Sequence, residues 1–367
     1  MKRILFLSII ILSFILLLLA CTAANSSHPD ISNLEDNECK IQANDIFSSV
    51  KAIELETTDS CLLSSPNLVD FCDNGILVWD KSLVYRFDHN GYFKNRIGKI
   101  GHGFGEYTGV NSINYDKKRK IVYIGTFSND IYKYSIDGKY IGKFKVSGGK
   151  DILMTSKWSE PLGLYICETR NYRHDGLDVA LTTWTTDGKK NASYHIYSDN
   201  EYVDHNFTRT GTLTDTGNGM LFRLPFCDTV YCLSKDGVSE YTIVDRGKHT
   251  PSRNMVEDNS NEAKLERNGY NITHWNVTPN YIYMTIACYR GYRNVMIRLS
   301  DNKIIHNQYY SYQEDDGTHQ IKLKEISGKA TFWPWISNGN KVADLVDNDN
   351  KAKNPTLIIA TEKAISQ

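Results

Sequence analysis

The feature that most limits what this chain can fold into is a hairpin signature recurring about every 49 residues. It reads Val84-Tyr85-Arg86-Phe87-Asp88-His89-Asn90-Gly91, then Ile131 to Gly138, then Val230 to Gly237, with a weaker copy at Thr182 to Gly188. Apolar side chains alternate along each copy, which suits one face of a strand. Asn-Gly or Asp-Gly follows, and such pairs tolerate the positive φ angles of a tight turn. Upstream of each hairpin lies another alternating strand: Ile76–Trp79, Ile121–Ile124, Leu164–Cys167, Met220–Arg223 and Tyr281–Met284. A fifth hairpin runs from Met296 to Lys303, and a sixth unit shows through Thr331–Ile336, Val342–Val346 and Thr356–Ala360. Four short strands per unit at this period predict an all-β fold, a six-bladed β-propeller with four-stranded antiparallel blades.

The last unit lacks a fourth strand, while Val50–Thr57 precedes the first complete blade and has no place in it. The N-terminal strand is therefore expected to close the last blade and remove two exposed edges. The step from Gly237 to Lys303 is longer than the others, and the excess falls at 248–268, where Glu262 to Arg267 suits a short helix or a flap.

The first residues carry Lys2 and Arg3, an apolar run from Ile4 to Leu19, and Leu18-Leu19-Ala20-Cys21. That pattern predicts a secretory leader over 1–20 with cleavage before Cys21, a single membrane helix being the competing reading. Residues 21–45, rich in Asn, Ser and Asp, read as a flexible tether, and 46–363 as the propeller. Removing Lys2 and Arg3 with the leader leaves 40 basic against 43 acidic residues. This balance excludes an electrostatic footprint for nucleic acid. Seven further cysteines, with no CxxC pair, fit neither a disulfide framework nor a zinc knuckle. Most read as small buried apolar residues; the alternative is that Cys227 with Cys232, or Cys61 with Cys72, pairs in an oxidising compartment.

The leader resembles the bacterial lipobox, which implies acylation of Cys21 and a membrane partner. Thr22 offers no aspartate retention signal, so the outer membrane is the expected address. Residues 50 to 362 resemble the NHL-like, TolB-like six-bladed propeller lipoproteins of Bacteroidetes. The likeness rests on Ile53–Asp59, Gly98–Tyr107, Phe226–Tyr231, Phe332-Trp333-Pro334 and Asn354-Pro355. Phe104 stands where that family's glycine-rich junction usually has proline. The resemblance implies a fold and no chemistry.

For ligand binding, Glu168 to Asp175 and Tyr289 to Arg293 read as loops on the face that carries the inter-blade connections. Arg170, Tyr172, Arg173, Arg290, Tyr292 and Arg293, with His102, Glu106 and the insertion, are expected to rim one pocket. Arginine forks and tyrosine rings suit planar, hydroxylated or carboxylate-bearing partners. Ordinary solvated loops are the alternative. The four glycines in Gly98–Gly105 lack the Lys-Ser or Lys-Thr ending of a phosphate loop. Trp333-Pro334-Trp335 suits packing between blades or a platform for sugar. No cofactor is required by any motif. The leading expectation is a non-enzymatic, monomeric envelope module that binds a protein, peptide or glycan. One rival is a lyase or lactonase with calcium or zinc on the axis, drawing on His205, His274, Glu54 or Glu56; another is a TolB-like assembly scaffold.

Overall fold

The structure, a computed structural model, describes residues 28–146, 151–173, 176–201, 212–257, 262–311, 321–322, 331–348, 350 and 352–364. The leader, Cys21 and His205 lie outside the described residues.

Six four-stranded antiparallel sheets form the ring. Blade one comprises Pro66–Cys72, Gly75–Asp80, Leu83–Asp88 and Phe93–Ile97. Blade two comprises Ser112–Asp116, Ile121–Gly125, Asp130–Ser135 and Tyr140–Lys145, and blade three Ile152–Ser159, Leu164–Arg173, Gly176–Trp184 and Lys190–Asp199. Blade four follows with Thr212–Asp215, Met220–Arg223, Thr229–Ser234 and Gly237–Ile243, and blade five with Asn271–Val277, Tyr281–Cys288, Gly291–Arg298 and Lys303–Ser311. Blade six has Ile336–Asn338, Lys341–Val346 and Thr356–Glu362, and its outermost strand is Phe47–Glu54. That strand runs antiparallel to Thr356–Glu362 from Phe47 opposite Glu362 to Glu54 opposite Thr356. The expected closure is the observed one.

The turn glycines serve two purposes. Gly91 and Gly138 have φ of 85° and 86°, which L side chains rarely adopt. A Cβ on Gly91 would also stand 2.1 Å from the Glu54 carbonyl oxygen, and one on Gly138 2.5 Å from that of Arg96. Each hairpin thus presses on the outer strand of the preceding blade, and the closing strand takes that part for blade one.

Apolar side chains gather at the seams. Leu77, Val84, Val122 and Ile124 fill the gap between blades one and two, and Tyr123, Phe144, Trp158 and Tyr165 that between two and three. Ile166, Leu181, Phe222 and Leu233 join blades three and four, and Leu221, Ile272, Met284 and Ile297 join four and five. Tyr283, Trp333, Val342 and Ile358 join five and six, and Val78, Phe87, Ala343 and Leu357 join six and one. Burial at about 25 cal/mol per Å² makes these seams the main stabilising term.

Residues 28–45 depart from the expected tether. Ile31 and Leu34 are fully buried in the seam between blades four and five. Asn307 Nδ2 donates to the carbonyls of Leu34 and Asn37 at 2.7 and 2.9 Å, and the backbone of Cys39 pairs with that of Asn307. Ala43 and Ile46 then enter the next seam. Two apolar side chains and a buried amide that satisfies the backbone suffice to dock a polar segment. The insertion at 248–268 holds two short helices, Arg253–Glu257 and Glu262–Asn268. Among the described residues no helix is long and apolar enough to cross a membrane, and all seven cysteines from Cys39 to Cys288 are free.

Asp344, on the second strand of blade six, is almost fully buried. Its carboxylate accepts the Trp333 and Leu345 N–H groups at 2.8 and 2.7 Å. Burial outweighs these bonds and pushes its pKa up to about 7. A carboxyl raised in the folded state stabilises fully below its unfolded pKa of about 4 and loses that contribution as pH rises through 7. Asp344→Asn is therefore expected to flatten the fall in stability between pH 4 and 7, measured as Tm against pH. An unchanged slope would remove Asp344 as its source.

Candidate functional site

The stretch from Glu168 to Arg173 is strand, so the side chains of Glu168, Arg170 and Tyr172 alternate onto one face of blade three. Arg170 is fully buried there. Its Nε donates to Glu168 Oε1 at 2.8 Å and its Nη1 to Glu257 Oε1, while Tyr172 Oη donates to Glu257 Oε2 at 2.8 Å. Burial alone would lower the Arg170 pKa; Glu168 and Glu257 more than reverse it. Glu257 belongs to the first inserted helix, so the predicted ligand arginine instead fastens the insertion to the ring. Arg253 of the same helix donates to Asp199 and to the Glu201 carbonyl. Arg173 is exposed and donates to the Asp199 carbonyl at 2.9 Å.

The other predicted residues lie in two further places. Arg293, on the third strand of blade five, is 6 % exposed and holds Glu38 and Asn307, each at 3.2 Å. It clamps the docked N-terminal segment. Tyr292 stacks on Tyr310, and Arg290 lies over the Tyr289 ring. His102 and Glu106 sit in the glycine-rich junction, lining a separate recess with Phe104, Tyr132 and Tyr140. Lys99, at 2.5 Å, and the Gly103 N–H lower the Glu106 pKa. The expected single pocket is thus divided among three regions, because two of its arginines are spent inside the fold.

Sequence reasoning missed a second buried pair. Arg223 and Arg246 are at most 2 % exposed, and Arg246 Nε donates to Asp228 Oδ1 at 2.6 Å. Arg223 donates to the carbonyls of Leu224 and Ile272. Burial first, and then the Arg246 charge, bring the Arg223 pKa down to about 9.

The concavity on the ring's axis has a volume of about 740 Å³, and all six blades line it. Inner strands run from the inter-blade connections toward the turn before the second strand. Lys117, Pro161, Gly217, Pro279 and Gly339 belong to those turns, so this mouth opens on the face opposite the expected one. Trp158, Trp275 and Trp335 line it, the first two nearly buried in their seams; Trp335 is 46 % exposed, whereas Trp333 is buried in the seam. Of the two tryptophans around Pro334, Trp333 thus serves the expected packing between blades. Lys117 Nζ reaches Asp70 Oδ1 at 3.1 Å. Burial raises the Asp70 pKa, against the fields of Lys117 and Lys157. His274 Nε2 lies 3.1 Å from the Pro334 carbonyl, and burial lowers its pKa to about 4. Of the groups proposed to join His274 on the axis, Glu54 and Glu56 stand elsewhere. The closing strand is outermost, Glu54 facing Lys353 and Glu56 accepting the Phe93 N–H. No group of three or more His, Cys, Asp or Glu placed to hold a metal occurs among the described residues.

The profile of a domain of unknown function, DUF4934, matches residues 29–361. The chain belongs to the DUF4934 family. This DUF4934 match begins with the docked segment rather than with the closing strand, as expected if 28–46 is part of the folded unit. Among solved structures, a protein named as exported from Bacteroides fragilis aligns with a TM-score of 0.68 at 16 % identity, over 89 % of this chain and 98 % of that one. A DUF4221 family member from Bacteroides vulgatus aligns at 0.54 and 11 %, over 86 % and 97 %. Both likenesses concern the fold. No curated protein matches this DUF4934 chain.

Proposed function

We propose that this protein is a lipid-anchored module of the bacterial cell envelope, NHL-like and TolB-like in its ring, that holds a protein, peptide or glycan partner without transforming it. The Lys2-Arg3 start, the apolar run and Ala20-Cys21 support the anchor, and the exported name of the Bacteroides fragilis neighbour is in keeping with the address. One observation carries the binding reading: the axial channel is a concave, tryptophan-lined site of about 740 Å³ to which every blade contributes, the usual shape of a ligand site. Its mouth, and not the arginine-bearing loops, is the binding face.

The test is binding of the full chain to glycan and peptide arrays, with Trp335→Ala beside it. Ligands retained by the wild type should lose at least about tenfold in affinity, the effect of removing a stacking aromatic from a site. Equal binding by the variant, or none by the wild type, would overturn the reading.

A further inference from the structure

We infer that the axial channel binds a carboxylate carried on a ring, with Lys157 receiving the carboxylate and Trp335 stacking on the ring. This rests on the channel being the binding site and adds the chemistry of what it takes. Lys157 lies on the inner strand of blade three and is half-buried in the channel wall. Its ammonium has no hydrogen bond or ion pair among the described residues. Lys157 lines the channel together with Asp70 of blade one and Trp335 of blade six.

The carboxylates that line the channel with it are engaged elsewhere. Asp70 is held by Lys117 at 3.1 Å. Glu160 accepts the Trp158 indole N–H at 2.7 Å and the Lys118 N–H at 3.1 Å. Asp215 accepts the N–H groups of Gly217 and Glu160. A half-buried ammonium without a partner has lost part of its hydration with no return, and a ligand carboxylate restores it through a charge-assisted bond. Trp335 supplies the second contact. Its ring lies 4.2 Å from that of His274, which braces the indole while its own Nε2 is committed to the Pro334 carbonyl. An ammonium and a braced, half-exposed indole on separate walls of one channel match a ring that carries a carboxylate, a uronic acid or an aromatic acid, better than a neutral sugar.

Titration of the full chain with glucuronate, galacturonate and benzoate, followed by tryptophan fluorescence, tests this, with galactose as the neutral control. At least one acid should bind saturably and galactose at least tenfold more weakly. Lys157→Met should weaken the acid by about 10- to 100-fold, the range of a charge-assisted bond, and Lys157→Arg should retain it. No saturable acid, equal binding of galactose, or full affinity in Lys157→Met would overturn the inference. Array ligands lost in Trp335→Ala but kept in Lys157→Met would leave the channel as the binding site and remove only its acid selectivity.

Discussion

Glu257→Ala is expected to release the connection between blades four and five while the ring stays closed. Glu257 is fully buried and supplies one of the two carboxylates on Arg170, and it also accepts the Tyr172 hydroxyl. Its loss takes one carboxylate from a buried guanidinium that keeps Glu168 and the Tyr172 hydroxyl, and removing one partner of a buried ion pair costs about 3–5 kcal/mol. Both inserted helices are shorter than a self-sustaining helix requires, so the loss should appear first as local opening. Amide exchange within 253–257 and 262–268 should accelerate by two orders of magnitude or more, against a smaller change in the seams. Glu257→Gln, which keeps the shape and removes the charge, should fall between. Equal protection in all three proteins would show that the insertion is held by something else.

Asp228→Asn should act on the whole fold. Asp228 is the carboxylate on Arg246, and it also accepts the Thr250 hydroxyl at 2.7 Å. Arg223 and Arg246 already repel one another in a dry seam. Neutralising Asp228 leaves two buried cations with carbonyl partners, again at about 3–5 kcal/mol. Denaturant unfolding should show a lower midpoint at unchanged slope. Adding Arg246→Met should recover part of the loss, because the uncompensated charge departs with it. A double variant no better than the single one would refute this account.

The ring was legible because its signals are local. Alternation over four to six residues and an Asp-Gly pair at Asp137-Gly138 or Asp187-Gly188 identify strands and turns without reference to anything distant. Closure was legible by arithmetic, one blade short of a strand and one strand without a blade. The candidate site was not, since Lys117, Lys157 and Trp335 come from separate blades and meet only across the axis. Arg170 misled for a different reason. Arginine and tyrosine suggested a loop, although Glu168, Arg170 and Tyr172 keep the alternation of Leu164 and Ile166, a same-face triple that already argued for a strand with an inward charge needing a partner. The docked segment was hidden by composition: Ile31 and Leu34 are isolated in a polar stretch, and their burial depends on a seam formed far along the chain.

The pairing of Phe47 with Glu362 and of Glu54 with Thr356 also sets the order of assembly. During synthesis the closing ribbon is made before the five complete sheets, and its hydrogen-bonding neighbour after them. Those five sheets can form locally, but the sixth waits until both have been made, a long-range step of the kind that slows folding. A chain truncated before Thr356 would keep five complete sheets and leave a ribbon with no place to go, so quality control by the cell would have a single late event to monitor.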